Sequence, residues 1–359
     1  MPAALFEPIR LAGLELANRI MVAPMCQYSA VEGDMTDWHL VHLGQMASAG
    51  PGLIMIEATS VTPEGRITHG CTGLWSEAQA VKMERVAAFC RSVGPARIGV
   101  QLGHAGRKAS AQRPWEGGGA LPAEAEPWET VAPSDVPAGE GWHRPAALDD
   151  AGLARLRDAF VAAAGRALAI GLDSVELHCA HGYLLHQFLS PLSNRRTDRY
   201  GGDLESRMRY PLEIARAVRA AWPEEKPLLV RVSATDWVEG GWDLEQTCAF
   251  AEALKAEGVD AIHVSSGGLS PAQQVPVGPG YQNGLAAEIR RRSGLPTIAV
   301  GMITDPIQAE SVLRSGQADM VALAREMLRD PRWVWRAATV LGATASTPPQ
   351  YARAVPFGR

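Results

Sequence analysis

The 359-residue sequence contains no run of about 18 apolar residues, so no transmembrane helix is expected. Its first residues, MPAALFEPIR, offer neither a basic n-region nor an apolar h-region, and no signal peptide is expected there. It lacks any C-x-x-C pair: five cysteines lie scattered at positions 26, 71, 90, 179 and 248. That pattern predicts reduced thiols in a cytoplasmic protein, without a disulfide framework or a cysteine zinc or iron–sulfur site. There is no basic tail and the net charge is −5, which leaves nucleic acid without an electrostatic footprint. No G-x-G-x-x-G follows any candidate strand, which weakens a dinucleotide-binding doubly wound fold.

What is present is a repeated cadence. A helical run ends in Gly and a short apolar strand follows, as in ASAGPGLIMIEA, LAIGLDSVELHC, KAEGVDAIHVSS and RSGQADMVALAR. Glycine just past a helix end takes the left-handed conformation that other residues resist. The runs are rich in Val, Ile and Leu on most positions, which suits parallel strands buried on both faces. Eight such runs occur, at 18–23, 53–58, 98–102, 174–178, 228–232, 261–265, 296–300 and 319–323. Amphipathic helical segments at 153–170, 206–222, 244–257 and 306–315 fall between them. Eight alternating units predict an α/β fold, a single (β/α)8 TIM barrel spanning 1–359. Spacing alone also permits a doubly wound sheet. Residues 1–17 read as a β-hairpin capping the barrel bottom, and 109–148, rich in Gly, Pro, Trp and Glu, as a long loop after strand three. Such a loop is either a lid or a packing excursion.

In a barrel of this kind chemistry sits at the C-terminal ends of the strands. Polar, reactive and glycine residues crowd that end here. Strand one leads into Ala23-Pro24-Met25-Cys26-Gln27-Tyr28; strand two ends at Glu57-Ala58-Thr59; strand three carries Gln101 and ends in His104. Strand four ends in His178, with His181, Gly182 and Tyr183 after it. Strand five contains Arg231, and strands six to eight lead into Gly267-Gly268, Gly301-Met302 and Ala324-Arg325. The glycines would let backbone N–H groups approach a phosphate that Arg325 pairs with, or they merely form tight turns. Arg231, in a buried strand, requires either a carboxylate such as Glu57 or Glu176 or an anionic ligand. The His178-x-x-His181 pair reads as a metal site, a substrate clamp or packing. Zinc usually asks for such a pair on a helix with a third ligand, which this stretch does not offer, so no metal is expected.

The segments APMCQY, EATSVTPEGR, QLGHAGRKAS, ELHCAHGYLLHQFLSPLSNRRTDRYGG and ALAREML together resemble the old yellow enzyme family of FMN-dependent ene-reductases, in its thermophilic-like branch. The resemblance runs from LFEPIRLAGLELANRIMVAPMCQY to PPQYAR and departs at Ala324, where the family has Gly. It implies tightly bound, non-covalent FMN, with NADPH as hydride donor. Ala23, Pro24, Met25, Cys26, Ala58, Gln101, His178, Arg231, Gly267, Gly268, Gly301, Met302, Ala324 and Arg325 are the implied cofactor contacts. Cys26 would modulate the flavin, or be only a small buried hydrophobe. His178 and His181 would donate hydrogen bonds to the oxygen of an activated alkene (an enone, maleimide or nitro compound), with Tyr28 and Arg353 also binding substrate. Tyr183 would protonate the α-carbon after hydride reaches the β-carbon, in a ping-pong cycle. The tail at 345–359 would bring Arg353 into a neighbouring subunit's site in a homodimer or homotetramer, or else be solvated. His104 and Lys108 lie near the site without an assigned role. Three other readings stay in view. One is a flavin-binding sensor without turnover. Another is a barrel metal hydrolase using the histidines. The third is a dienoyl-CoA reductase type, whose iron–sulfur cluster would need cysteines beyond Cys248.

Overall fold

A computed structural model describes residues 2–354. Eight parallel strands close into a barrel in chain order: β1 (Ile20–Val22), β2 (Leu53–Ser60), β3 (Arg97–Gly103), β4 (Ser174–Cys179), β5 (Leu228–Ser233), β6 (Ala261–Ser265), β7 (Thr297–Ala299) and β8 (Met320–Leu323). Around them run α1 (Asp37–Ala47), α2 (Glu77–Val93), α3 (Asp150–Ala169), α4 (Leu204–Ala221), α5 (Leu244–Ala256), α6 (Asn283–Ser293), α7 (Pro306–Arg314) and α8 (Trp333–Leu341). Two short helices, Leu184–Leu189 and Arg325–Arg329, are added after β4 and β8. This is the expected TIM barrel. No described helix is long and apolar enough to cross a membrane.

Local chemistry sets the joints. The glycines of the cadence, Gly50, Gly171, Gly258 and Gly316, all have φ between 70° and 80°, the region open to residues without a Cβ. Asp149, Asp203, Asp243 and Asp305 cap α3, α4, α5 and α7 by accepting first-turn N–H groups, each cap contributing about 1 kcal/mol. The first strand begins two residues later than the sequence suggests. Asn18 instead acts as a staple: its Oδ1 accepts the Ile20 and Gly52 amides and its Nδ2 donates to the Gly50 carbonyl.

The hairpin is present as Ile9–Leu11 paired antiparallel with Leu14–Leu16. Leu11 and Leu16 pack with Met21, Leu53, Met55, Leu229, Ile298 and Met320 inside the barrel, sealing the N-terminal end of the strands. A second, larger core fills the space between strands and helices. The 109–148 loop folds back over the mouth: Arg113 Nε donates to the Tyr28 carbonyl, Trp115 meets the Tyr28 ring edge-on, and Trp128 Nε1 donates to the Glu64 carbonyl. These contacts make it part of the rim.

Candidate active site

The polar residues gather at the C-terminal mouth. A cavity of about 420 Å³ there is lined by Arg231, Ser265, Gly301, Met302, Ala324 and Arg325, with Tyr281, Gln282, Glu326 and Arg329 among the others. Beside it a cleft is bordered by Ala58, Cys71, His104, His178 and Tyr183. Arg231 joins the two regions. It is the direct β-ladder neighbour of His178 on β4 and of His263 on β6.

The turn after β4 carries the H-x-x-H-G-Y stretch. His181 and Gly182 both adopt left-handed conformations, φ +57° and +72°. A side chain at 182 would collide with the Gly268 carbonyl oxygen. Lys108 Nζ donates to the carbonyls of His181 and Gly268, 2.9 and 3.0 Å away, and clasps the turn to the loop after β6. From below, His186 Nδ1 accepts the Gly182 amide at 2.9 Å while its Nε2 faces Asp236 Oδ1 at 3.0 Å, both side chains fully buried. The result is a compact trio: the His178 ring centroid lies 5.2 Å from that of His181 and 4.9 Å from that of Tyr183.

Protonation follows from burial and charge. Burial first, and then the Arg231 charge, hold both His178 and His181 well below the ordinary imidazole value, so both are neutral. His178 Nδ1 accepts the Ala180 amide, which puts its proton on Nε2. His181 Nε2 shares a hydrogen bond of 2.8 Å with the Ser265 hydroxyl. Burial, with Cys26 and Tyr28 nearby, pushes the Tyr183 phenol well above its usual value, so it keeps its proton. Burial and the Glu57 carboxylate likewise keep Cys26 a thiol.

The loop after β1 is shaped by Glu57, whose Oε2 accepts the Gln27 amide at 3.0 Å and whose Oε1 lies 3.3 Å from His39 Nε2. Ala58 sits at an irregularity in the β2–β3 ladder between Ile56 and Thr59, a feature common beside active sites. Ala23 continues β1 by donating to the Leu323 carbonyl, and Met25 packs against the outer core.

Arg231 resolves one alternative. Neither Glu57 nor Glu176 forms an ion pair with it: Glu57 faces His39, and Glu176 faces His263 and Gln101. Among the described residues its Nε is buried without a partner. An unpaired guanidinium bordering a cavity calls for an anionic or electron-rich ligand. The cavity residues therefore fit FMN, with Arg231 at one side and the Ala324–Arg325 turn at another.

Gly267 and Gly268 are not among the residues lining the cavity. Their amides are taken by the Thr235 carbonyl and by Gln273 Oε1, at 2.8 and 2.6 Å. Both have positive φ, 70° and 88°, and a Cβ on Gly268 would lie 2.7 Å from His181 Cα on the turn after β4. Arg353, expected in a neighbouring subunit's site, is exposed. Its tail lies at the opposite end of the barrel, where Ser346–Tyr351 border Gly94 and Pro95 ahead of β3. Sequence reasoning missed Gln282, which is buried, donates to the Val300 carbonyl at 2.6 Å and accepts from Ser266. Nothing local marks it. Arg329 also lines the cavity, four residues after Arg325 on the same short helix, a spacing legible in the sequence.

Residues 4–343 match the family described as NADH:flavin oxidoreductase / NADH oxidase. The chain belongs to this family. It is 42% identical to an NADPH dehydrogenase of Geobacillus sp. strain WCH70, over 98% of this chain and 99% of that one. It is also 42% identical to an NADPH dehydrogenase of Listeria innocua, over 98% of both. Among solved structures, morphinone reductase superposes with a TM-score of 0.79 at 29% identity, over 98% of this chain and 93% of that one. A 2-naphthoyl-CoA reductase shares the fold with a TM-score of 0.85 at 24% identity; this chain covers 53% of its length. The family is that of old yellow enzyme, and the chain is an NADPH-dependent flavin oxidoreductase with FMN as cofactor.

Proposed function

We propose that this oxidoreductase is an ene-reductase acting on alkenes activated by a carbonyl or nitro group. The observation that carries the reading is the trio His178, His181 and Tyr183, held within contact distance on one rigid turn beside the unpaired Arg231. FMN, which Arg231, Ala324 and Arg325 would hold, would supply the redox chemistry between NADPH and the β-carbon when bound. The protein's own groups do the rest. His178 presents its Nε2–H, and His181 its ring N–H, to the substrate oxygen, where negative charge develops. Donors fixed before reaction stabilise that charge without reorganisation. Neutral imidazoles suit this task, since they donate without losing a proton. Tyr183, its phenol kept protonated by burial, gives a proton to the α-carbon. Tyr28, next to Cys26 and under the edge of Trp115, closes the substrate side. Arg353 is proposed to enter the site of a neighbouring subunit, because its own site lies at the other end of the barrel.

His178→Ala tests the clamp. FMN should stay bound, with its yellow absorbance intact, while kcat/KM for cyclohexenone falls about 100-fold or more, as for loss of one oxyanion donor. Unchanged alkene turnover in that variant would remove the clamp from the account.

A further inference from the structure

Below the proposed flavin face lies a buried polar layer that the reaction itself does not use. Glu176 on β4 is fully buried and satisfied on both oxygens. Its Oε1 accepts Gln101 Nε2–H at 2.7 Å, and its Oε2 meets His263 Nδ1 at 2.9 Å. Gln101 is its ladder neighbour on β3, whereas His263 reaches it from β6, across β5. Side chains from alternate strands meeting in one layer are a regular feature of this fold. Arg231 stands on the intervening strand, and Glu176 is the foremost charge acting on it. Glu176 nonetheless makes no ion pair with the guanidinium.

Two consequences follow from elementary chemistry. A carboxylate only accepts hydrogen bonds, so the Gln101 amide must turn its NH2 toward Glu176 and its carbonyl oxygen away from it. A buried negative charge one strand from Arg231 also offsets part of the guanidinium's field, which little solvent screens here.

We propose that Glu176, anchored by Gln101 and His263, is a positioning residue that lowers the reduction potential of bound FMN by orienting the Gln101 amide and offsetting the Arg231 charge. The inference rests on the reading that places the flavin against Arg231 and Gln101. It gives the barrel interior a part in the chemistry: how readily the flavin takes electrons from NADPH and gives them to an alkene depends on a carboxylate that touches neither.

The test uses the FMN-loaded enzyme and Glu176→Gln. The amide is nearly isosteric. It can still accept from Gln101 and donate to His263 in the other imidazole tautomer, so the fold should persist. Anaerobic dye-equilibration titration should show the FMN midpoint moved to a more positive value. A tenfold gain in binding of the reduced over the oxidised flavin corresponds to about 30 mV for this two-electron couple. Glu176→Asp keeps the charge and should stay close to the parent potential. An unchanged or more negative midpoint in Glu176→Gln would overturn the proposal. An equal shift in both variants would also overturn it, because it would assign Glu176 a packing role alone. Arg231→Met separates the two layers of inference. If it changes neither FMN affinity nor potential, the placement of the flavin is wrong. If it lowers the potential while Glu176→Gln does nothing, only the role of Glu176 falls.

Discussion

Tyr183 shows how a residue's chemistry follows from its surroundings. An exposed phenol near pH 7 is already protonated, but the partly buried position beside Cys26 and Tyr28 raises its proton affinity further. In the proposed reaction it is a donor held in reserve until carbanion character develops next to it. Tyr183→Phe should slow the alkene half-reaction about 100-fold or more, the usual span for a lost general acid, and leave reduction by NADPH nearly untouched. Stopped-flow absorbance of the flavin reads the two half-reactions separately, and equal loss in both would count against the proton-donor role. The residue types at this site were legible in the sequence because His178, His181, Tyr183 and Arg231 interrupt or end apolar runs. Their partners were not. Glu176 and His263 are 87 positions apart, and each reads locally as one polar residue in a strand. That Arg231 has no carboxylate partner could be learned only once Glu57 and Glu176 were seen committed elsewhere.

At the level of elements, the decisive unit is the turn joining β4 to the Leu184–Leu189 helix. Its left-handed residues are not favoured in themselves: a non-glycine such as His181 at φ +57° persists only when its surroundings hold it there. The hold comes from Lys108 above and from the His186–Asp236 pair below. Removing one partner of a buried pair typically costs about 3–5 kcal/mol. His186→Ala should therefore lower stability by roughly that amount, measured by urea unfolding, and should weaken alkene binding more than FMN binding. A variant of parental stability would mean that the turn is held by other contacts. The helix–Gly–strand cadence was readable because glycine joints and Asp caps act within a few residues. Strand limits were less so. Asn18 fell outside β1 because its side chain bonds to Gly50 and Gly52, more than thirty residues away. The position of Gly267 and Gly268 at a strand end fits a phosphate cradle, whereas the close approach of Gly268 to His181 leaves no local mark in the sequence.

Across the whole molecule, the buried histidines set the response to acid. Burial holds His42 and His104 down to about 4 each, and holds His178, His181 and His263 below the ordinary 6.5 as well. Between those lowered values and 6.5 the unfolded chain binds more protons than the native one. Stability is then full above pH 6.5 and falls as pH drops toward 4, by about 1.4 kcal/mol per unit for each histidine kept neutral. Urea midpoints should be level from pH 7 to 8 and decline steadily from 6.5 to 4.5; a flat profile through the acid range would contradict this. The same closed barrel that excludes water from these side chains brings eight strand ends to one mouth. In the proposed cycle this mouth runs two half-reactions through one flavin. That cycle is tested most directly by following the visible spectrum of the purified protein anaerobically, adding first NADPH and then cyclohexenone. Bleaching of the yellow band by NADPH and its full return with the alkene is the predicted result. Bleaching that cyclohexenone, maleimide and a nitroalkene all fail to reverse would contradict the proposed ene-reductase activity.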